Sequence, residues 1–254
     1  MLFRSLLCGT LVAELPYPRI AEVREKNRRL GLGLMGIHEW MIVRGYKYGE
    51  NDEFNKWLSV YKGVSDAASA HYADAYSISR PVANRAIAPT GTIGILAGTT
   101  TGIEPIYSVA YKRRYLDGTR WKYQYKVEDV ALRLINEGIK PDAIETASDL
   151  ARDYERRIAF QANVQDFVDM GISSTINLPA YGAGSVDARV FADVLAKYAH
   201  RLRGFTCYPD GSRGGQPLTS VPYEEAKDKL GTELEENTEY NDICDITGGG
   251  HCGV

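Results

Sequence analysis

Apolar and polar positions along this chain fall into two rhythms, one of three and four residues and one of two. Near the start, Leu2, Phe3, Leu6, Leu7 and Leu11 recur at helical spacing and predict a core helix. The run is too short to span a bilayer, and Leu7 stands where a lipoprotein leader would want a small residue, so no signal segment is read here. After the turn at Pro16 and Pro18, Ile20 to Arg29 reads as a helix with a charged outer face. Phe54, Trp57, Leu58, Tyr61, Val64, Ala68, Tyr72 and Ala75 form a sustained stripe, which predicts a long amphipathic helix. The rhythm then shortens. Trp121, Tyr123 and Tyr125 alternate after the turn signal Asp117-Gly118, and with Tyr107 to Tyr115 before it they predict a hairpin.

Further helices are predicted over Val127 to Glu137 and Thr146 to Met170, ended by Gly138 and Gly171. Another is predicted over Asp187 to Arg203, with Val190, Phe191, Val194, Leu195, Tyr198 and Leu202 inward. Short strands are expected at Ala86–Ala88, Ser173–Leu178 and Phe205–Tyr208. Strands alternating with long helices argue an α/β fold with parallel strands, in which ligands sit at the strands' C-terminal ends. Three strand ends become candidates for one site: Pro89 to Thr92, Asn177 to Pro179, and Cys207 to Asp210.

The stretch Arg85 to Pro105, RAIAPTGTIGILAGTTTGIEP, has the order of strand, small turn and helix start that offers bare amides to an anion. Gly91 has no Cβ to hold a ligand away, and Thr90 and Thr92 carry hydroxyl donors. An ordinary capped loop fits the turn alone equally well. It has no Gly-Lys-Ser/Thr ending, so it is not a Walker loop. Gly31, Gly33 and Gly36 match the bare Gly-x-Gly-x-x-Gly pattern, yet a charged helical segment precedes them, and close helix packing is the reading preferred over a dinucleotide site. His38-Glu39 lacks the second histidine of a zinc-protease helix, and no metal is assigned to it. Glu104 is read as part of a buried structural turn rather than of a cavity wall.

Composition narrows the classes. The 254 residues are 44% hydrophobic and 25% charged, with a formal net charge of −3. That balance suits a soluble domain and provides no global basic field, so neither nucleic acid nor membrane is expected as a partner. Four cysteines, Cys8, Cys207, Cys244 and Cys252, are scattered without a Cys-x-x-Cys pair, which favours a cytoplasmic chain over a disulfide scaffold. Cys8 lies on the first helical stripe beside Leu7, and a buried, unreactive thiol is expected there.

From Gly211 the character changes. One short helix begins near Pro222, and the remainder is acidic and glycine-rich. The expected division is 1–218 as the main α/β body and 219–254 as a short helix with a mobile tail. Glycines between Cys244 and Cys252 allow the two to meet as a disulfide reachable by another dithiol. A metal site from Cys244, His251 and Cys252 falls one ligand short, and an inert terminus is the other reading.

Three strings, NRRLGLGLMG, APTGTIGILAGTTTGIEP with SSTINLP downstream, and GFTCYPDGSR, together resemble the large catalytic chain of ribonucleotide reductase, adenosylcobalamin-dependent class, C-terminal half. The resemblance runs from about Leu11 to the tail. It implies a ten-stranded α/β barrel of which this chain forms the C-terminal portion, with a redox-active tail. It implies that Thr90, Gly91, Thr92 and Ile93 hold the substrate's phosphates, and that Cys244 and Cys252 shuttle electrons to the active site. Tyr208 occupies the place of the second of two radical-relay tyrosines, and Cys207 replaces the first, which favours a radical generated locally from adenosylcobalamin.

The family's radical cysteine lies in an Asn-Pro-Cys-Gly-Glu string that this chain lacks. The resemblance therefore implies a fragment or split subunit, inactive alone, that reduces ribonucleotides, diphosphates by preference, with an upstream partner and a thioredoxin-like dithiol. Half a barrel also exposes strand edges and apolar helix faces, an independent reason to expect that partner. The alternative is a non-catalytic nucleotide-binding or structural remnant.

Overall fold

The computed structural model describes residues 2–182, 184–212 and 217–235. Its helices are α1 (Leu2–Val12), α2 (Pro18–Asn27), α3 (Ile37–Val43), α4 (Asp52–Ala75), α5 (Gly91–Ala97), α6 (Asp129–Asn136), α7 (Tyr154–Gln165), α8 (Ala188–Ala199) and α9 (Tyr223–Ala226). The strands are β1 (Ala110–Asp117), β2 (Arg120–Val127), β3 (Thr175–Leu178), β4 (Thr206–Pro209), β5 (Leu218–Val221) and β6 (Glu233–Glu235). Two compact units divide the chain, one of Met1–Glu104, Glu155–Thr175 and Arg189–Thr206, the other of Pro105–Tyr154, Ile176–Ala188 and Cys207–Val254.

In the first unit, α1 buries Phe3 and Leu7, four residues apart, in a cluster with Leu30. Cys8 on the same helix is half-buried rather than buried, its thiol 3.6 Å from the Tyr76 hydroxyl. Asn51 caps α4 by accepting the Phe54 N–H at 2.8 Å, and Asp52 and Glu53 complement the dipole in its first turn. The buried face of α4 runs through Phe54, Leu58, Ser65, Ser69 and Ala73, while Trp57 and Val64, both placed on the predicted stripe, stand exposed.

The unit is centred on residues 83–87. Leu32 bridges Arg85 and Ile87 bridges Ile172, both in parallel. The bridging bonds have ordinary lengths: Leu32 N–H to Asn84 O at 3.0 Å, Ala86 N–H to Leu32 O at 3.1 Å, and Ser173 N–H to Ile87 O at 2.8 Å. The predicted strand Ala86–Ala88 thus pairs on both sides but too briefly to form a regular ladder. A Cβ on Gly33 would lie 2.6 Å from the Ala86 carbonyl oxygen, so this glycine exists to let two backbones approach. Close packing is therefore its role, as expected, although the neighbour is an extended segment and not a helix.

The second unit is built on the hairpin of β1 and β2, whose register runs from Ala110↔Val127 to Asp117↔Arg120 around Gly118 in a left-handed conformation. β5 and β6 flank it to give a four-stranded sheet in the order β5-β1-β2-β6, all pairs antiparallel. Ala110, Tyr125 and Val127 bury one end of this sheet with Ala226 of α9. The described part of the segment 219–254 is thus strand, helix and strand laid on the hairpin, and residues 236–254 lie outside the described residues.

Two expectations change. The four-stranded sheet is antiparallel, the two isolated bridges are parallel, β3 and β4 pair in a separate two-stranded sheet, and the described strands form a mixed α/β arrangement without a closed barrel. On α8 no residue is fully buried, so the predicted inward stripe is only half covered and Val190 is exposed. Among the described residues no helix is long and apolar enough to cross a membrane.

Candidate functional site

The Arg85–Pro105 stretch is pinned at both ends. Arg85 is only 1% exposed. Its guanidinium meets Asp66 at 2.5 Å and Asp169 at 2.7 Å and donates to the Phe167 carbonyl at 2.7 Å. Asp169 also accepts the Asn84 and Arg85 amides at 2.8 and 3.2 Å, which ties the start of the stretch to residues 167–169. Burial works against ionisation of Asp66, but hydrogen bonds from Arg85 and Asn84 prevail and hold its carboxyl below the usual range.

At the far end Glu104 accepts the Thr175 N–H at 2.5 Å and pairs with Arg157 at 2.8 Å, while Arg157 also donates to the Thr175 carbonyl at 2.7 Å. Burial pushes the Glu104 carboxyl upward and the Arg157 charge opposes it. Next to this pair, Tyr48 donates to the Ile103 carbonyl at 2.5 Å and packs edge-on to His38. Burial, with help from the Arg157 charge, lowers the His38 pKa to about 3 and keeps the ring neutral. Through these contacts Glu104 and His38 are both tied into the packing around the end of the stretch.

Between the pins lies the loop. Thr90 takes a left-handed conformation with φ 50°, and its carbonyl accepts the first helical bond of α5 from the Gly94 N–H at 2.7 Å. The amides of Gly91, Thr92 and Ile93 therefore stand outside the helical ladder. All three residues are exposed. The Thr90 hydroxyl accepts the Gly102 N–H at 2.9 Å, which braces the loop from beneath and leaves its proton to donate. A Cβ built on Gly91 meets nothing within 4 Å, and this glycine is not among those with positive φ. Neither packing nor backbone geometry in this chain requires a glycine there.

Two of the three predicted strand ends meet in the second unit, where the Asp210 N–H donates to the Leu178 carbonyl at 2.9 Å. Asn177 and Asp210 line two cavities there, of about 360 and 210 Å³, and Tyr208 lines the smaller. Tyr107 borders both, and Ser148, Asp149 and Arg152 border the larger. The third strand end, Pro89 to Thr92, belongs to the first unit. Cys207 is half-buried, and burial pushes its thiol pKa up, away from a reactive thiolate. Cys244, His251 and Cys252 fall outside the described residues. Among the described residues no cluster of three metal-ligating side chains occurs.

Arg85, Arg157 and the 148–152 wall of the cavity escaped the sequence reading. Asp66 and Asp169 lie 19 and 84 residues from Arg85, and no local pattern links them. The only local signal was an arginine opening an apolar run.

The family model described as ribonucleotide reductase, barrel domain, matches residues 82–208. A vitamin B12-dependent ribonucleoside-diphosphate reductase of Mycobacterium tuberculosis is 30% identical over 248 residues, covering 83% of this chain and 35% of its own length. A putative adenosylcobalamin-dependent ribonucleoside-triphosphate reductase of Mycobacterium phage D29 is 26% identical, covering 90% of this chain and 38% of its own. A crystal structure of a B-12 dependent (class II) ribonucleotide reductase superposes with a TM-score of 0.65 at 16% identity, over 82% of this chain and 34% of that one. The Actinobacillus ureae class Id ribonucleotide reductase alpha subunit gives 0.61 at 15% identity, over 83% of this chain and 45% of that one. At these identities the two structures speak to the fold alone. This chain spans about a third of the length of the curated relatives it matches. The 82–208 match takes in the pinned loop, Asn177 to Pro179, and Cys207 and Tyr208, and on it the chain belongs to the ribonucleotide reductase family.

Proposed function

We propose that this chain is the C-terminal portion of the catalytic barrel of an adenosylcobalamin-dependent ribonucleotide reductase, working with an upstream polypeptide that carries the radical cysteine. The observation that carries the reading is the Thr90–Ile93 loop, with three amides outside the helical ladder and an unforced glycine among them, inside the family match. In this reading the Gly91, Thr92 and Ile93 amides and the Thr90 and Thr92 hydroxyls hold the phosphates of a ribonucleoside diphosphate. Anchoring the phosphates positions the ribose for hydrogen abstraction by a cysteine thiyl on the partner. The 2′-hydroxyl then leaves as water while a cysteine pair supplies two electrons. Tyr208 lines the pocket shared with Asn177 and Asp210. Cys244 and Cys252 return electrons from a thioredoxin-like dithiol in the cytoplasm.

Adenosylcobalamin, named for several relatives, supplies the initiating radical when bound. The described pockets of about 360, 300 and 210 Å³ are open clefts, and none of them encloses a corrin by itself. Ribonucleotide reduction assayed with adenosylcobalamin and a dithiol, by the chain alone and with the upstream polypeptide, tests the reading. Turnover is expected only for the pair, and turnover by the isolated chain overturns it. Absence of turnover in both favours the non-catalytic remnant. Serine at both Cys244 and Cys252 should spare a single turnover and suppress repeated turnover with a protein dithiol.

A further inference from the structure

Helix α5 is turned inside out. Its one buried residue is Gly94, which rests so closely on Thr101 that an added Cβ would lie 2.7 Å from the threonine methyl. The large apolar side chains point the other way: Ile93 is 59% exposed, Ile95 76% and Leu96 87%. At about 100° per residue, Ile93 and Ile95 flank the side opposite Gly94 and Leu96 lies on it, so the three form one continuous outward face. Scattered exposed apolar residues need no explanation, but three on a seven-residue helix with a glycine for its inner contact make a face built to be covered. The glycine face fixes how α5 sits on its own unit and leaves the apolar face for a second body.

We infer that the Ile93, Ile95 and Leu96 face of α5 is the docking surface for the polypeptide that supplies the rest of the reductase barrel. This rests on the split-enzyme reading above and gives it a location. The occupant follows from three observations. The chain accounts for about a third of each relative's length, so about two thirds of a reductase lies outside it. The family match is to a barrel domain, and the described strands do not close one. The apolar face also begins at Ile93, the last residue of the proposed phosphate loop, so a body seated on it arrives beside the anchored substrate. Docking there excludes water from the loop's flank and strengthens the amide contacts to the anion.

The test uses the full chain and the polypeptide of its own genome that carries the Asn-Pro-Cys-Gly-Glu string, purified separately and mixed. A photo-crosslinking residue at position 95 or 96 should couple to that polypeptide. Ile95→Ser with Leu96→Ser should weaken the association at least tenfold by analytical ultracentrifugation, with an unchanged circular dichroism spectrum. Leu116→Ser, exposed on the hairpin, serves as the control and should leave association intact. Association with crosslinks that avoid α5, or one insensitive to the double substitution, overturns this surface while leaving the split-enzyme reading standing. Crosslinks between two copies of the chain overturn it in favour of self-association. No association, or a genome without such a polypeptide, overturns both.

Discussion

Gly91→Ala separates a ligand-binding glycine from a structural one. Gly91 opens α5 without positive φ, and a Cβ placed on it meets nothing within 4 Å, so alanine fits the folded chain unchanged. Replacing a glycine by alanine at a compatible position stabilises by about 0.4–1 kcal/mol, because the unfolded chain has less freedom to lose. For a protein of this size that raises Tm by roughly 1–4 °C. A methyl group over the exposed amides removes about one charge-assisted hydrogen bond to a phosphate, worth about 1.5–3 kcal/mol. That is roughly a ten- to hundredfold loss of affinity. Isothermal titration with CDP, alongside a thermal melt, measures both. Gly94→Ala is the contrast three residues on: its Cβ would lie 2.7 Å from the Thr101 methyl and 3.3 Å from the Thr99 carbonyl oxygen. Overpacking of that kind costs about 1–3 kcal/mol, so Tm should fall. Wild-type CDP affinity in a stable Gly91→Ala protein would remove the anion from this loop.

Arg85→Met should lower stability by about 3 kcal/mol, the low end for breaking a buried ion pair because Asp66 and Asp169 both reach solvent. Urea denaturation gives the figure, and an unmoved midpoint refutes the pinning role. His38, with its pKa lowered to about 3 against 6.5 unfolded, contributes stability that is fully present above pH 6.5 and lost as pH falls toward 3. Glu104, raised by burial, works in the opposite sense, with its contribution lost as pH rises through the carboxylate range. His38→Phe should therefore flatten the fall in denaturation midpoint between pH 6.5 and 4, and an unchanged slope counts against the buried neutral ring. Cys207 should react with iodoacetamide at pH 7.5 several times more slowly than a free thiol, since burial pushes its pKa up. Labelling at the free-thiol rate would contradict the burial argument.

What could be read from the sequence was what short-range chemistry decides. The hairpin was legible because Asp117-Gly118 demands a tight turn and the aromatic alternation demands strands, and β1 and β2 pair around that turn. The helix α4 was legible, but its buried side was not. Ser65 and Ser69 go inward because their hydroxyls bond to the Lys62 and Asp66 carbonyls of their own helix, at 2.9 and 3.2 Å. Hydropathy instead assigns Trp57 and Val64 to the core, and both are exposed. The predicted helix from Thr146 to Met170 is broken by a 3₁₀ turn at Asp149–Arg152 and ends at Gln165. The Gln165 amide takes the Val168 and Met170 carbonyls at 2.7 and 2.8 Å, so a side chain, not Gly171, closes it. The Thr90–Ile93 loop was visible as residues, yet what holds it comes from partners 19 to 84 residues away.

That long-range pinning sets how mutations in the stretch should sort. Arg85 before the loop and Glu104 after it are locked to residues 167–169 and to Thr175, and Thr90 is braced by the Gly102 amide. Between these locks, Gly91, Thr92 and Ile93 are exposed and make no packing demand that the fold depends on. Fixed ends around an unburdened middle hold bare amides in place before a ligand arrives, which spares the ordering cost on binding. Substitutions at the ends should then act on stability first, with function following as the loop loosens. Substitutions at Gly91 and Thr92 should lower phosphate affinity without lowering stability. A mutant series over Arg85, Gly91, Thr92 and Glu104 in which affinity and stability fall in proportion at every position would mean that the loop is ordinary structure. Separation into two classes would mark it as a built anion site.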